Sequence, residues 1–297
     1  TWRGFPKELR DRDESALGEW GEKTRGETLY HKFVQYLFFS QWYGLEGHCR
    51  KRGVKLIGDI PYYVNFDSSE VWSSPGSFKL DAEKRPVYVS GVPPDYFSKT
   101  GQLWGNPVYD WDELKRTGYK WWIDRIGHNL SLFDVLRLDH FRGFVAYWEI
   151  KAGEKTALDG KWVDIDVVSF FATLFSRYDK ERFIAEDLGD ITPDVREIIE
   201  RYSLPGMKIL LFAFGDDFPY GEYLPSVFKE NCVVYTGTHD NNTARGWWEN
   251  EAGKAEKSRV FKYLGKKINA GEISPEFIRL AMFSPADTAV IPMQDVL

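Results

Sequence analysis

Cysteine and histidine are scarce in this sequence, and each scarcity excludes a class of protein. Only 2 of the 297 residues are cysteine, which makes a disulfide framework implausible and favours a reducing compartment, the cytoplasm or a plastid stroma. The 5 histidines show no close pair at metal-ligand spacing. We therefore expect no structural zinc.

Long apolar runs and excess positive charge are also lacking. No apolar run reaches about 18 residues, so we expect no membrane span. The net charge of -6 offers no basic face to a nucleic-acid backbone. Residues 1–13 lack the basic-then-apolar order of a signal peptide. We expect neither nucleic acid nor membrane as a partner.

Three common catalytic motifs are missing as well. No Gly-x-Gly-x-x-Gly and no P-loop is present, which argues against a nucleotide-binding α/β enzyme. No Gly-x-Ser-x-Gly elbow supports a serine hydrolase. Aromatic residues, in contrast, make up 16% of the chain. Trp and Tyr suit the apolar faces and hydroxyl edges of sugars, although most of them are expected in the core.

Continuously apolar segments alternate with helical patterns along the chain. We predict strands at residues 54–60, 133–138, 182–185, 207–214, 231–235 and 288–291. We predict helices at 28–52, 111–132, 167–178, from 192–193 onward, 254–269 and 275–283. Such alternation predicts a parallel sheet covered by helices on both faces. Six strands are too few to close an eight-stranded barrel, so an open doubly wound sheet fits as well.

Residues 61–107 show little periodicity and are rich in Gly, Pro, Ser and Asp. A segment of this length without regular structure, inside a compact domain, is usually functional. The other interpretation is a tolerated surface insertion.

Three of the predicted strands end in a carboxylate, at Asp139, Glu186 and Asp240. Since a barrel has its active site at the carboxyl ends of its strands, this placement favours a barrel with converging acids. Chemistry at the anomeric carbon of a sugar needs one carboxylate to attack, one acid to protonate and one group to hold the distorted ring. Each acid alone could also be an ion-pair partner, a helix cap or a turn former. Asp59 is a fourth strand-end acid and is expected to be a scaffold residue of the site.

The neighbours of these acids suit the same chemistry. Arg137 and Arg142 flank Asp139, and nearby positive charge favours the ionised carboxylate of a nucleophile. Asp187 and an apolar strand adjoin Glu186, which we expect to raise the pKa of Glu186 as a general acid requires. Residues 236–243 around Asp240 are dense in hydrogen-bonding groups suited to sugar hydroxyls.

Further motifs resemble a known family along nearly the whole chain. They are Gly-Asp-Ile-Pro-Tyr-Tyr-Val at 58–64, Gly-Val-Pro-Pro-Asp-Tyr-Phe at 91–97, Gly-Gln-Leu-Trp-Gly-Asn-Pro at 101–107 and Pro-Met-Gln-Asp-Val-Leu at 292–297. With the three acidic segments, they resemble the amylomaltase or disproportionating-enzyme family of 4-α-glucanotransferases, in the α-amylase clan. The motifs at 91–97 and 104–107 are the most specific to that family.

The resemblance implies an α/β fold, a (β/α)8 TIM barrel that is incomplete here. Strands three to eight would be present and the first two strands absent, as in an internal fragment. Residues 1–53 would be the remnant of a helical insert leading into the barrel. Residues 54–297 would be the partial catalytic barrel, with 61–110 as a long active-site loop insertion.

The resemblance also implies roles for individual residues. Asp139 would be the nucleophile, Glu186 the general acid/base and Asp240 the transition-state stabiliser. The substrate-binding residues would be Arg137, His140, His239, Asp59, Trp104, Tyr96, Phe97 and Asn106. No cofactor or metal is implied. The reaction would transfer α-1,4-glucan segments between malto-oligosaccharides with retention of configuration. The alternatives are an α-glucan hydrolase of the same clan and an inactive glucan-binding fragment.

Overall fold

A computed structural model describes residues 1–94, 98–189 and 191–297. The chain divides into two compact units, Thr1–Phe183 with Asp190–Val195, and Ile184–Gly189 with Arg196–Leu297. Helices and strands alternate in both units. The predicted domain boundary between residues 53 and 54 lies inside the first unit. That residues 54–297 form a partial barrel stays a prediction.

The first unit opens with helices and continues through alternating strands and helices. Its helices and strands are, in chain order, α1 (Lys7–Arg10), α2 (Glu14–Lys23), α3 (Arg25–Lys51), β1 (Ile57–Ile60), α4 (Ser69–Ser73), β2 (Tyr88–Val92), β3 (Gln102–Pro107), α5 (Trp111–Arg116), α6 (Lys120–Leu130), β4 (Val135–Leu138), β5 (Ala146–Lys151), β6 (Gly160–Asp164) and α7 (Val167–Phe175). Strand β7 (Phe183–Ala185) begins in this unit and ends in the second.

The second unit continues the alternation. Helix α8 (Pro193–Tyr202) starts in the first unit and ends in the second. The remaining helices and strands are β8 (Gly206–Ile209), β9 (Cys232–Tyr235), α9 (Ala244–Asn250), α10 (Lys254–Leu264), α11 (Ile273–Met282), β10 (Thr288–Val290) and α12 (Met293–Val296). Short 3₁₀ turns lie at Trp2–Gly4, Pro75–Ser77, Phe141–Phe144, Lys180–Arg182, Leu210–Phe212 and Pro225–Val227.

Parallel strand pairs occur in each unit, as predicted. In the first unit β1 and β4 pair in parallel, with Asp59 opposite Arg137 and Ile60 opposite Leu138. In the second unit three parallel strands lie in the order β10-β9-β8. The predicted strand at 207–214 is too long, because the chain turns into a 3₁₀ helix at Leu210–Phe212. Apolar sequence continues through that turn, where Leu210 and Leu211 stay buried and Phe212 is exposed.

An antiparallel sheet of four strands, in the order β3-β2-β5-β6, was not predicted. From the sequence we expect no regular structure at 61–107. That expectation is wrong, because strands β2 and β3 of this sheet and helix α4 lie in this segment. The strand pattern was hidden because glycines interrupt it and β3 is largely exposed. Gly91 is needed there, since an added Cβ would lie 2.3 Å from the carbonyl oxygen of Gln102 on β3.

The predicted helix at 111–132 is broken in two. Gly118 and Tyr119 have φ angles of 66° and 56°, in the left-handed region, so the chain reverses between α5 and α6. The apolar periodicity spans the break because residues on both sides, such as Trp111 and Trp122, reach the same core. The helix predicted at 28–52 is confirmed as α3.

The second half of helix α3 packs against the rest of the first unit. The indole of Trp42 lies 5.2 Å from the ring of Phe133 and its Nε1 donates to the carbonyl oxygen of Leu132 at 3.1 Å. Other apolar residues of this helix are exposed: Leu29, Tyr30, Phe33, Val34, Tyr36, Leu37 and Phe38. Among the described residues, no helix is both long and apolar enough to cross a bilayer.

Aromatic side chains form much of the core of the first unit. Tyr62, Tyr109, Trp122, Phe144 and Phe170 are fully buried. The ring of Tyr62 lies 4.8 Å from that of Phe144 and 5.6 Å from that of Tyr109 in edge-to-face geometry. Such pairs contribute about 0.5–1.5 kcal/mol beyond their buried area. The expectation that most aromatics belong to the core is confirmed for this cluster.

Arg182 provides a test of how the start of β4 is held. Its guanidinium donates to the carbonyl oxygens of Leu130, Phe133 and Asp134, at 2.9, 2.7 and 2.8 Å. We expect Arg182→Gln to lower the free energy of unfolding by about 2–3 kcal/mol, because charge-assisted hydrogen bonds to partly buried carbonyls are lost. Urea denaturation followed by tryptophan fluorescence measures this loss.

Arg177→Gln is the matched control, since Arg177 is exposed. It should change the free energy of unfolding by less than about 0.5 kcal/mol. Equal losses in the two variants would contradict a structural role for the Arg182 contacts.

Candidate functional site

One guanidinium joins two of the predicted site residues in the first unit. The parallel register places Asp59 beside Arg137. Asp139 follows Arg137 by two residues, so both side chains point to the same side of the strand. Nη1 of Arg137 lies 2.8 Å from Oδ1 of Asp59 and 2.8 Å from Oδ1 of Asp139. Arg137 is only 7% exposed, and a buried charge requires such partners.

Asp139 lies one residue beyond the end of β4, and its backbone still follows the ladder. Its amide nitrogen donates to the carbonyl oxygen of Ile60 at 3.2 Å. Arg142, the second arginine expected near Asp139, is placed differently. Its guanidinium lies 4.1 Å above the ring of Trp162 and its Nη1 donates to the hydroxyl of Thr192. The predicted pair of arginines is therefore confirmed for Arg137 and not for Arg142.

A pocket of about 220 Å³ opens beside Asp139. It is lined by residues that follow β1, by residues of β3 and by residues that follow β4: Pro61, Tyr62, Tyr63, Trp104, Asn106, Asp139 and His140. The antiparallel sheet therefore contributes to the same pocket as the parallel pair. Three predicted substrate-binding residues, Trp104, Asn106 and His140, lie in its wall.

Aromatic rings and a polar amide form the pocket wall. The ring of Trp104 lies 4.9 Å from that of His140 and 6.0 Å from that of Tyr63. The Tyr63 hydroxyl is buried and has no hydrogen-bond partner among the described residues. Asn106 donates from Nδ2 to the carbonyl oxygen of Val64 at 3.1 Å, which fixes its amide. The wall combines apolar faces with polar groups, as sugar recognition requires.

His140 is a neutral imidazole in this setting. Burial among aromatic rings lowers the pKa of His140 to about 4, and the positive charge of Arg142 adds to the effect. The rings of Tyr62 and Trp104 lie 5.9 Å and 4.9 Å from the imidazole. At neutral pH the side chain carries no charge, so it has one donor and one acceptor nitrogen.

Glu186 and Asp187 lie directly after β7 in the second unit. Oε1 of Glu186 accepts from the amide nitrogen of Leu188 at 2.9 Å. Oδ1 of Asp187 accepts from the amide nitrogen of Met207 at 2.7 Å, at the start of β8. Burial raises the pKa of Asp187. The two carboxyls therefore have separate hydrogen-bond partners in adjacent parts of this unit.

Asp240 lies in the loop between β9 and α9, also in the second unit. The side chains of His239 and Asp240 are 68% and 71% exposed, with Nε2 of the imidazole 3.5 Å from Oδ2 of the carboxylate. The hydroxyl of Thr238 accepts from the amide nitrogen of Asp240 at 3.2 Å. Oδ1 of Asn241 accepts from the amide nitrogen of Thr238 at 3.0 Å. The polar residues of this loop therefore form the turn that presents Asp240.

The predicted residues are placed as follows. The first unit brings together Asp59, Trp104, Asn106, Arg137, Asp139 and His140. The second unit holds Glu186, and His239 beside Asp240. Tyr96 and Phe97 lie outside the described residues. The convergence of all three acids on one point stays a prediction.

Sequence reasoning missed Pro61, Tyr62 and Tyr63 as pocket residues. They follow the carboxyl end of β1 directly, as Asp139 follows β4. The rule that selected the acids would have selected them too. In the part of the chain that the structure describes, no group of three or more His, Cys, Asp or Glu could hold a metal ion.

The chain is similar to known proteins over its whole length. The model of glycoside hydrolase family 77, described as 4-alpha-glucanotransferase, matches residues 1–297. The 4-alpha-glucanotransferase of Aquifex aeolicus is 48% identical over 296 residues, and that of Clostridium butyricum is 45% identical over 298 residues. Both alignments include 100% of this chain, with 60% and 61% of the respective relatives.

A solved structure agrees with the sequence relatives. The amylomaltase of Streptococcus agalactiae, in complex with acarbose, superposes with a TM-score of 0.93 at 37% identity, and the match covers 99% of this chain and 59% of that one. The chain thus spans about 60% of the length of the relatives that it matches. Since the family model matches from residue 1 to residue 297, the chain belongs to the 4-alpha-glucanotransferase family.

Proposed function

We propose that this chain carries the catalytic residues of a 4-α-glucanotransferase. It would transfer α-1,4-glucan segments to the 4-hydroxyl of an acceptor glucan by a retaining double displacement. The observation that carries the proposal is the shared contact of Arg137 with Asp59 and Asp139, beside a pocket walled by aromatic rings. The family membership favours transfer, and nothing in the described residues favours the hydrolase.

Asp139 is the nucleophile in this proposal. The Arg137 guanidinium favours its ionised form and holds Oδ1 in place, and the carboxylate attacks the anomeric carbon. Asp59 shares the guanidinium and keeps it in place. A retaining reaction also needs an acid at the leaving oxygen.

Glu186 is the general acid/base and Asp240 the transition-state stabiliser in this proposal. Each follows the carboxyl end of a strand, which is where barrel enzymes keep their catalytic groups. A retaining mechanism requires the carboxyls of Asp139 and Glu186 to lie about 5–5.5 Å apart. Glu186 first protonates the leaving oxygen and then takes the proton from the incoming 4-hydroxyl.

The pocket of the first unit would hold the sugar ring that is cleaved. The rings of Tyr63 and Trp104 offer apolar faces to pyranose C–H groups. The buried hydroxyl of Tyr63 and the neutral imidazole of His140 offer hydrogen bonds to sugar hydroxyls. The amylomaltase of Streptococcus agalactiae was solved with acarbose, an analogue of malto-oligosaccharides, which supports α-1,4-glucans as substrates. His239, Asn106, Tyr96 and Phe97 complete the proposed substrate-binding set.

The proposed architecture is a (β/α)8 barrel. The strands β1, β4, β7, β8, β9 and β10 would be its third to eighth strands, and residues 54–297 its catalytic part. Residues 1–53 would belong to a helical insert and residues 61–110 to the loop over the cleft. Such a loop favours transfer by excluding water from the covalent intermediate. The free thiols of Cys49 and Cys232 agree with a reducing cytoplasm or stroma.

Incubation with maltotriose tests the reaction. We expect glucose together with oligomers longer than maltotriose, because transfer extends one molecule as it shortens another. Chromatography of the products measures both. The Asp139→Asn variant is the control and should lose at least ~10⁴-fold in rate, as removal of catalytic residues does in other enzymes. Glucose and maltose without longer oligomers would instead establish hydrolysis.

Substitution of Arg137 tests the nucleophile contact. Arg137→Gln should lower kcat by about 10²-fold, because a nucleophile displaced by about 1 Å loses that much. Arg142→Gln is the comparison, since Arg142 contacts Trp162 and Thr192 instead. It should lower kcat less. Equal kcat losses in both variants would contradict the special role of Arg137.

The lowered pKa of His140 predicts a pH-dependent stability. The native chain keeps His140 neutral down to about pH 4, whereas the unfolded chain protonates it below its ordinary pKa of about 6.5. The free energy of unfolding therefore falls as the pH drops from about 6.5 to about 4. His140→Gln should remove this part of the loss, measured as urea midpoints at pH 7 and pH 4.5. The control is His128→Gln at an exposed position of α6, which should show the same drop in the free energy of unfolding between pH 7 and pH 4.5 as the wild type. If His140→Gln also shows the wild-type drop, the prediction is refuted.

A further inference from the structure

A buried carboxylate close to the carboxyl end of the sequence contacts the loop that presents Asp240. Asp295, in α12 of the second unit, is only 5% exposed. Its Oδ2 accepts from the hydroxyl of Thr236 at 2.6 Å, and its Oδ1 accepts from the amide nitrogen of Ala244 at 2.8 Å. Both oxygens of this carboxylate are therefore used by donors.

The two donors lie at the two ends of one loop. Thr236 is the first residue after β9 and is fully buried. Ala244 is the first residue of α9, where the amide has no partner within the helix. Asp295 thus clamps both ends of residues 236–243, which we term the 236–243 loop. His239 and Asp240 lie in the middle of it.

The bonds inside the 236–243 loop shape its turn locally. Thr238 and Asn241 bond to each other through side chain and backbone. The side chains of His239 and Asp240 extend into solvent, with 68% and 71% exposed. Their direction therefore depends on how the whole turn is oriented, and the clamp sets that orientation at both of its ends.

The chemistry of the clamp calls for a carboxylate. Both partners are donors, and a carboxylate accepts with both oxygens. An asparagine offers only one acceptor oxygen, and its NH₂ group would face a donor. Burying a charge is costly unless it is paired or hydrogen-bonded. If stability were its only role, apolar residues of similar volume would serve as well at a lower desolvation cost than a buried carboxylate.

We propose that Asp295 is a positioning residue for Asp240, and this proposal rests on the function proposed above. By holding Thr236 and Ala244 it keeps the 236–243 loop in one orientation, so that the Asp240 carboxylate meets the ring hydroxyls of the sugar in the transition state. Asp295 itself does not touch the substrate. Its effect should then appear in kcat more than in KM, since Asp240 acts in the transition state.

The test compares Asp295→Asn and Thr236→Val with the wild type. Three quantities are measured: kcat and KM for maltotriose disproportionation, hydrogen–deuterium exchange of residues 238–243, and the urea midpoint. We expect kcat to fall by about 10²-fold in Asp295→Asn, as for other misplaced catalytic groups, with a smaller change in KM and faster exchange in the loop. Thr236→Val should change kcat and exchange in the same direction.

Two further variants separate positioning from stability. Thr236→Ser keeps the hydroxyl that Asp295 accepts from, and should restore both kcat and slow exchange. Asp287→Asn is the matched control, because Asp287 is an exposed carboxylate of the same unit, and it should leave all three quantities unchanged. If Asp295→Asn does not fold, the Thr236→Val and Thr236→Ser pair carries the test.

The outcomes distinguish the two proposals. A lower urea midpoint with unchanged kcat and unchanged loop exchange would overturn the positioning role and leave Asp295 a structural residue. Absence of any transfer by the wild type would refute the proposed function of this chain. In that case loop exchange still decides whether Asp295 clamps the 236–243 loop, and unchanged exchange in Asp295→Asn and Thr236→Val would overturn the clamp.

Discussion

The guanidinium of Arg137 is the contact on which the candidate site depends. It is buried beneath the end of the parallel pair, and one nitrogen lies 2.8 Å from both Asp59 and Asp139. The carboxylates of Asp59 and Asp139 are 42% and 38% exposed, so solvent weakens each ion pair, and the buried Arg137 gains most from having both partners. The register of β1 against β4 sets these contacts, since it places Asp59 opposite Arg137. The arrangement of the site and the pairing of the sheet are therefore coupled.

The pocket beside Asp139 is lined by residues from a parallel and an antiparallel sheet, which contribute different kinds of side chain. The parallel strands deliver carboxylates and tyrosines at their carboxyl ends, whereas the antiparallel sheet delivers Trp104 and Asn106. The adjacent residues Tyr62 and Tyr63 show how close core and pocket are. Tyr62 packs among buried rings and also lines the pocket, and Tyr63 lines it with a hydroxyl that has no partner among the described residues. The aromatic core thus lies directly behind the pocket wall.

In the second unit each candidate acid has a second carboxylate close by that bonds to backbone. Asp187, beside Glu186, accepts from the start of β8. Asp295 accepts from both ends of the loop that carries Asp240. In our proposal the bonds of the buried Asp295 hold the loop of the exposed Asp240 in one orientation. This is what catalysis by pre-positioned groups requires, because a site on loops alone is less precise.

The sequence by itself determined the order of parallel strands and helices, the strand-end position of Asp139 and Glu186, and the family, whereas Asp240 lies five residues beyond the end of β9. Continuous apolar runs and the residues that end them are local properties, so they can be recognised without knowing what they pack against. Only the tertiary structure decided that Arg137 and not Arg142 contacts Asp139, that β2, β3, β5 and β6 form a sheet, and that α5 and α6 are separate helices. It alone enclosed His140 among rings and placed Asp295 at both ends of the 236–243 loop. These features depend on register, backbone reversal and contacts between residues far apart in the chain, and no local pattern records such partners.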